Sequence, residues 1–106
     1  MIDFAGKIVL VTGGGVGIGR ATCEAFAGAG ATVVTIEKDA ARAAGVRAAL
    51  GEGHVVVEGD VTVQADVDAL AGTIAGRFGG LDVLVNNVGE FLMIVKRFVD
   101  HTDEDI

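Results

Sequence analysis

The stretch that most constrains this chain is Thr12-Gly13-Gly14-Gly15-Val16-Gly17-Ile18-Gly19, set directly behind the apolar, β-branched run Lys7-Ile8-Val9-Leu10-Val11. A short apolar run of that kind reads as a buried strand. Glycine permits positive φ and brings no Cβ, so the backbone can turn tightly and approach another group closely. Where such a turn opens a helix, free N–H groups and the helix dipole attract negative charge, which makes an anion cradle suited to a pyrophosphate. Glycine turns also serve geometry alone, so the neighbouring segments decide the reading.

Those segments repeat the strand-to-helix pattern. Ile18, Thr22, Phe26 and Ala29 recur at helical spacing and predict one packing face, with Gly28 and Gly30 marking the stop. Val33-Val34-Thr35-Ile36 is a second buried strand ending at Glu37. Asp39 can cap a second helix whose inner face is Ala43, Val46 and Leu50, closed by Gly51 and Gly53. His54-Val55-Val56-Val57-Glu58 makes a third strand, and Thr62 is the candidate N-cap of a third helix carrying Val63, Val67, Leu70, Ile74 and Phe78 on one side. Leu81-Asp82-Val83-Leu84-Val85 is a fourth strand running into Asn86-Asn87-Val88-Gly89. Strands apolar on both faces, alternating with amphipathic helices, imply an α/β fold. The expected form is a doubly wound parallel sheet of Rossmann type, in three αβα layers, with the order βαβαβαβ.

The sequence has 106 residues, 51% hydrophobic and 22% charged, with no proline, which suits one domain at most. Doubly wound sheets are usually larger, and Thr102-Asp103-Glu104-Asp105 has the form of a helix N-cap at the very end. Residues 1–106 are therefore expected to be a single partial dinucleotide-binding domain, truncated at the C-terminus. Phe91 to Val95 is apolar enough for a strand, but Lys96-Arg97 leaves an irregular segment equally open.

The net charge of −7 is carried with scattered cations and no basic stripe, which disfavours nucleic acid and an acidic membrane as partners. The apolar run Ile8 to Val11 is too short for a signal-peptide core, so a cytoplasmic address is the expectation. Cys23 is the only cysteine and reads as a small buried hydrophobe.

The glycines are spaced Gly-x-x-x-Gly-x-Gly from Gly13 through Gly17 to Gly19. No Lys-Ser/Thr follows Gly19, which disfavours a P-loop, and a flavodoxin-like receiver would place acids rather than glycines after the first strand. Thr12-Gly-x-x-x-Gly-Ile-Gly19 together with Asn86-Asn87-Val88-Gly89 resembles the short-chain dehydrogenase/reductase family, over about residues 5 to 89. In that family the first motif holds the cofactor and the second, commonly Asn-Asn-Ala-Gly, braces the sheet and lines the nicotinamide ribose. Val88 stands where alanine is usual. The resemblance implies NAD(P)-dependent hydride transfer to or from an alcohol or carbonyl substrate, and a homo-oligomer, dimer or tetramer, in the complete protein. It assigns the cofactor to Gly13, Gly15, Val16, Gly17, Ile18 and Gly19, with Asn87, Val88 and Gly89 also facing it and Asn86 bonding neighbouring strands.

Glu37 lies at the tip of the second strand, 18 residues beyond Gly19, where an acid can accept from both adenosine ribose hydroxyls. A 2′-phosphate about 4 Å from that carboxylate would meet roughly 4 kcal/mol of repulsion per unit charge at an effective dielectric of about 20. NAD is therefore expected over NADP, although Lys38 offers one offsetting cation; Val16 fills the place before the second motif glycine where the family's NADP users often carry a base. Asp60 and Val61 stand where the family has residues beside the adenine, Asp60 as an acceptor and Val61 through its backbone. Asp60 could instead merely satisfy backbone donors in its own turn.

The family's chemistry uses a tyrosine as acid or base, a lysine lowering its pKa and a serine orienting the substrate oxygen. The sequence holds no tyrosine and no serine, and its asparagines are Asn86 and Asn87 alone. His54 and His101 lack a partner carboxylate at fixed spacing, and the acids Asp100, Asp103, Glu104 and Asp105 suit a helix dipole better than a metal. No catalytic residue and no metal ligand is assigned. The leading reading is an oxidoreductase of which only the cofactor half is present, inactive by itself. The alternative is a non-catalytic nucleotide-binding or interaction module that ends naturally at residue 106.

Overall fold

The computed structural model describes residues 3–13, 15 and 17–86. The expectations for Val16, for Asn87, Val88 and Gly89, for the segment from Phe91 to Val95 and for the cap at Thr102 lie outside the described residues. The elements run β1 (Ile8–Thr12), α1 (Gly17–Gly28), β2 (Thr32–Glu37), α2 (Ala40–Leu50), β3 (Val55–Glu58), α3 (Gln64–Phe78) and β4 (Val83–Val85). All pairings are parallel and the strand order is β3-β2-β1-β4. The chain thus steps outward from β1 through β2 to β3, then crosses to the other side of β1 for β4. In open α/β sheets ligands bind outside the C-terminal ends of the strands at a reversal of that kind, which here falls between β1 and β4.

Alternation along the central strands divides the core in two. Val9, Val11 and Val33 face Cys23 of α1 and Val46 of α2, while Leu10, Val34 and Ile36 face Val67, Leu70 and Ile74 of α3. Helices therefore cover both faces of the sheet. Full burial of each such aliphatic side chain stabilises the fold by about 1.5–3 kcal/mol. β1 and β2 are buried almost throughout, whereas β3 and β4, at the margins, are half-buried. Asp39 caps α2 as expected, its carboxylate accepting from the Arg42 N–H at 2.9 Å.

Two expectations are corrected. Helix α1 is turned so that Gly19 and Cys23 are buried and Ile18 is 79% exposed. The buried face of the helix thus runs through Gly19 and Cys23 and not along the line that begins at Ile18. The N-cap of α3 is Val63 rather than Thr62, and Val63 is exposed instead of continuing the inner face. Thr62 is held in the preceding turn because both its N–H and its hydroxyl donate to Asp60. Among the described residues no helix is long and apolar enough to cross a membrane.

Candidate functional site

Parallel strands bring their C-terminal ends to one margin, and register fixes the neighbours there: Thr12 lies beside Ile36, Glu37 beside Glu58, and Val11 beside Val85. The glycine turn, Glu37, Asp60 and Asn86 follow directly from these ends. The buried Thr12 hydroxyl donates to Asn86 Oδ1 at 3.1 Å and ties the end of β1 to the end of β4. Asn86 thus has the strand-bonding place expected of it.

Within the glycine turn the amides have separate fates. Gly13, with φ of 67°, donates its N–H to the Ile36 carbonyl at 3.0 Å and so extends the sheet. Gly15 is buried and donates to Glu37 Oε1 at 3.1 Å. Gly17, with φ of 57°, opens α1, whose first turn contains no acidic residue. The first amides of a helix have no carbonyl partner within it, so Gly17, Ile18 and Gly19 form the positive end of α1 with donors to offer. Ile18 projects its exposed side chain at the same place.

Glu37 is only 6% exposed. Its Oε2 accepts from the Asp39 N–H at 3.0 Å, so each carboxylate oxygen holds one backbone amide. Burial of a charge is tolerated because these bonds replace water. Lys38 beside it is exposed.

Gly59 donates to the Glu37 carbonyl at 3.0 Å and carries the chain into Asp60. Asp60 Oδ1 accepts from the Thr62 N–H at 2.8 Å and the Thr62 hydroxyl at 2.7 Å. Those two bonds hold the Asp60 carboxyl below the usual aspartate range; burial opposes the shift and the Lys38 charge adds to it. Asp60 therefore does serve its own turn. Val61 packs its side chain into the core, leaving its backbone at the margin. His54 belongs elsewhere: at the start of β3, its Nδ1 accepts from the Val33 N–H at 3.0 Å.

Three features of this margin are not evident in the sequence pattern. Asp66, in the first turn of α3, accepts from the Asp60 N–H at 2.9 Å and fixes the loop after β3. Thr12 ties the end of β1 to Asn86. Gly15 and Glu37 meet across 22 positions of sequence. An acid in a first helical turn is a local signal that could have pointed to Asp66; the other two pairings have no spacing signature.

A family model described as short chain dehydrogenase matches residues 7–106. L-fucose dehydrogenase of Rattus norvegicus is 45% identical over 86 residues, covering 81% of this chain and 32% of the relative. Galactitol 2-dehydrogenase of Agrobacterium fabrum is 42% identical over 87 residues, covering 82% and 34%. The chain therefore spans about a third of the length of these curated relatives. Among solved structures, a hydroxysteroid dehydrogenase from Escherichia coli aligns with a TM-score of 0.83 at 25% identity, over 97% of this chain and 52% of that one. A 3-ketoacyl-(acyl-carrier-protein) reductase from Brucella melitensis, complexed with NADH, aligns with a TM-score of 0.72 at 36% identity, over 77% and 34%.

Proposed function

The chain belongs to the short-chain dehydrogenase family, and from that premise we propose that it binds a nicotinamide dinucleotide, NAD in preference to NADP, across the C-terminal ends of its strands. The bound group would exchange a hydride with an alcohol or carbonyl carbon in the complete protein. L-fucose and galactitol, named in two relatives, carry hydroxyl groups open to such oxidation. The NADH held by the Brucella reductase supports the cofactor class.

The donor set fits that group. Amides of Gly17, Ile18 and Gly19 at the start of α1 take the pyrophosphate, because the first amides of a helix have no carbonyl partner within it and no acid in that first turn opposes the charge. Gly13 and Gly15 shape the turn, their own N–H groups being engaged within the chain. Glu37 accepts from the adenosine ribose hydroxyls through lone pairs beyond the two that hold backbone amides. Asp60 and the Val61 backbone border the adenine, while Asn87, Val88, Gly89 and Val16 take the places assigned by motif. The sequence has no tyrosine and no serine, so these residues bind and orient the cofactor without supplying the proton transfer.

One observation carries the preference for NAD: a buried carboxylate at the tip of β2, beside the glycine turn. Calorimetric titration tests it. NAD binds saturably and more tightly than NADP, and Glu37→Ser raises the NADP/NAD affinity ratio by at least about tenfold, equivalent to about 1.4 kcal/mol. An unchanged ratio removes the reason for NAD, and no saturable heat with either nucleotide sinks the reading.

A further inference from the structure

We propose that Gly15 and Glu37 form a clamp that sets the shape of the glycine turn, with Gly15 the positioning residue that admits the Glu37 carboxylate. The nucleotide consequence of this clamp rests on the binding reading above; the clamp itself does not.

The need for glycine at position 15 is one of space. Gly13 and Gly17 have positive φ, but Gly15 does not, so its backbone conformation is open to other residues. A Cβ there would lie 2.5 Å from Glu37 Oε1, 2.8 Å from Glu37 Cδ and 2.7 Å from Arg42 Cβ. Such contacts yield cheaply only when the neighbour is a free end of a flexible side chain. Neither neighbour is. The carboxylate is pinned by the amides of Gly15 and Asp39, and Arg42 Cβ is fixed to the backbone of α2, whose N-cap is that same Asp39. The end of β2, through Glu37, and the first turn of α2, through Arg42, thus converge on the point a methyl group would occupy.

The carboxylate also joins two turns. Oε1 holds the turn leading into α1, and Oε2 holds the turn leading into α2. Each oxygen keeps acceptor capacity after one such bond, so fixing the turn and receiving ribose hydroxyls are compatible tasks for one side chain. The clamp arranges the helix start before a nucleotide reaches it, and any residue larger than glycine at position 15 displaces the group that discriminates against a 2′-phosphate.

The test uses Glu37→Ala, Gly15→Ala, and Gly15→Ala combined with Glu37→Asp, all in the full chain. Amide hydrogen exchange without nucleotide reads the clamp directly: in Glu37→Ala the Gly15 amide exchanges about tenfold faster or more, while those of Leu10 and Val34 keep their rates and show that the fold is intact. Titration with NAD and NADP reads the consequence: Gly15→Ala weakens NAD about tenfold and NADP less, and the shorter acid of Glu37→Asp, which draws the carboxylate back, recovers most of the NAD affinity. Unchanged exchange at Gly15 in Glu37→Ala overturns the clamp. Normal NAD binding by Gly15→Ala, or a double variant no better than the single one, overturns its role in discrimination. A wild-type chain that binds neither nucleotide defeats the functional reading above, and the exchange result still decides the clamp.

Discussion

The four parallel strands are finished differently at their two margins. Where they begin, side chains and backbone close the sheet on itself. Asp82 Oδ2 accepts from the Ile8 N–H at 2.8 Å while the Asp82 N–H donates to the Ile8 carbonyl at 2.9 Å. His54 receives the Val33 N–H, and Thr32 donates to the Lys7 carbonyl. Where the strands end, glycine turns replace side chains, one buried carboxylate joins two loops, and the first turn of α1 holds no acid. One margin of the sheet is thus closed by side chains and backbone, and the other carries the turn and helix start to which the anion site is proposed.

The largest expected effect separates stability from binding at two glycines. Gly13 and Gly30 both hold positive φ, 67° and 97°, one at each margin, so Gly13→Ala and Gly30→Ala each lower unfolding stability by about 1–2 kcal/mol in urea denaturation. Only Gly13→Ala also weakens NAD in calorimetry. Equal losses of affinity would erase the functional difference between the margins. Next come the polar ties. Asp82→Ala and Asn86→Ala each remove a hydrogen bond between β1 and the β4 segment and cost about 1 kcal/mol by the same assay. Loosening at Asn86 lowers NAD affinity, and loosening at Asp82 leaves it alone.

The smallest effect is a pH dependence at Asp60. Its carboxyl is held below its ordinary value of 3.8, first by the Thr62 backbone bond. Its stabilising contribution is therefore complete above the unfolded value and is lost as pH falls through the lower folded one. The urea midpoint of wild type relative to Asp60→Asn shrinks between about pH 5 and about pH 2. A constant gap over that range would detach Asp60 from its Thr62 bonds.

The architecture was legible because its signals are local. β-branched runs such as Val33 to Ile36 read as buried strands, Asp39 reads as a cap, and alternation with helices forces a parallel sheet. Helix rotation was not legible at α1, because one of the residues on its buried face, Gly19, has no side chain and leaves no trace in a hydrophobic pattern. Thr62 looked like a cap because threonine caps helices and also closes turns onto a preceding aspartate; here the aspartate wins with two bonds. The acids of the candidate site could be named from their places at strand ends. What they touch could not, since the meeting of Gly15 with Glu37 depends on how β1 and β2 align and how α2 packs above them.

Titrating NAD into the isotopically labelled chain while following backbone amide shifts tests the central claim most directly. If the start of α1 grips the pyrophosphate, the amides of Gly17, Ile18 and Gly19 move saturably and most, and those of Ile8, Val33 and Asp82 at the opposite margin stay in place. Shifts concentrated at that opposite margin, or none at residues 17–19 when the chain is saturated, would contradict it.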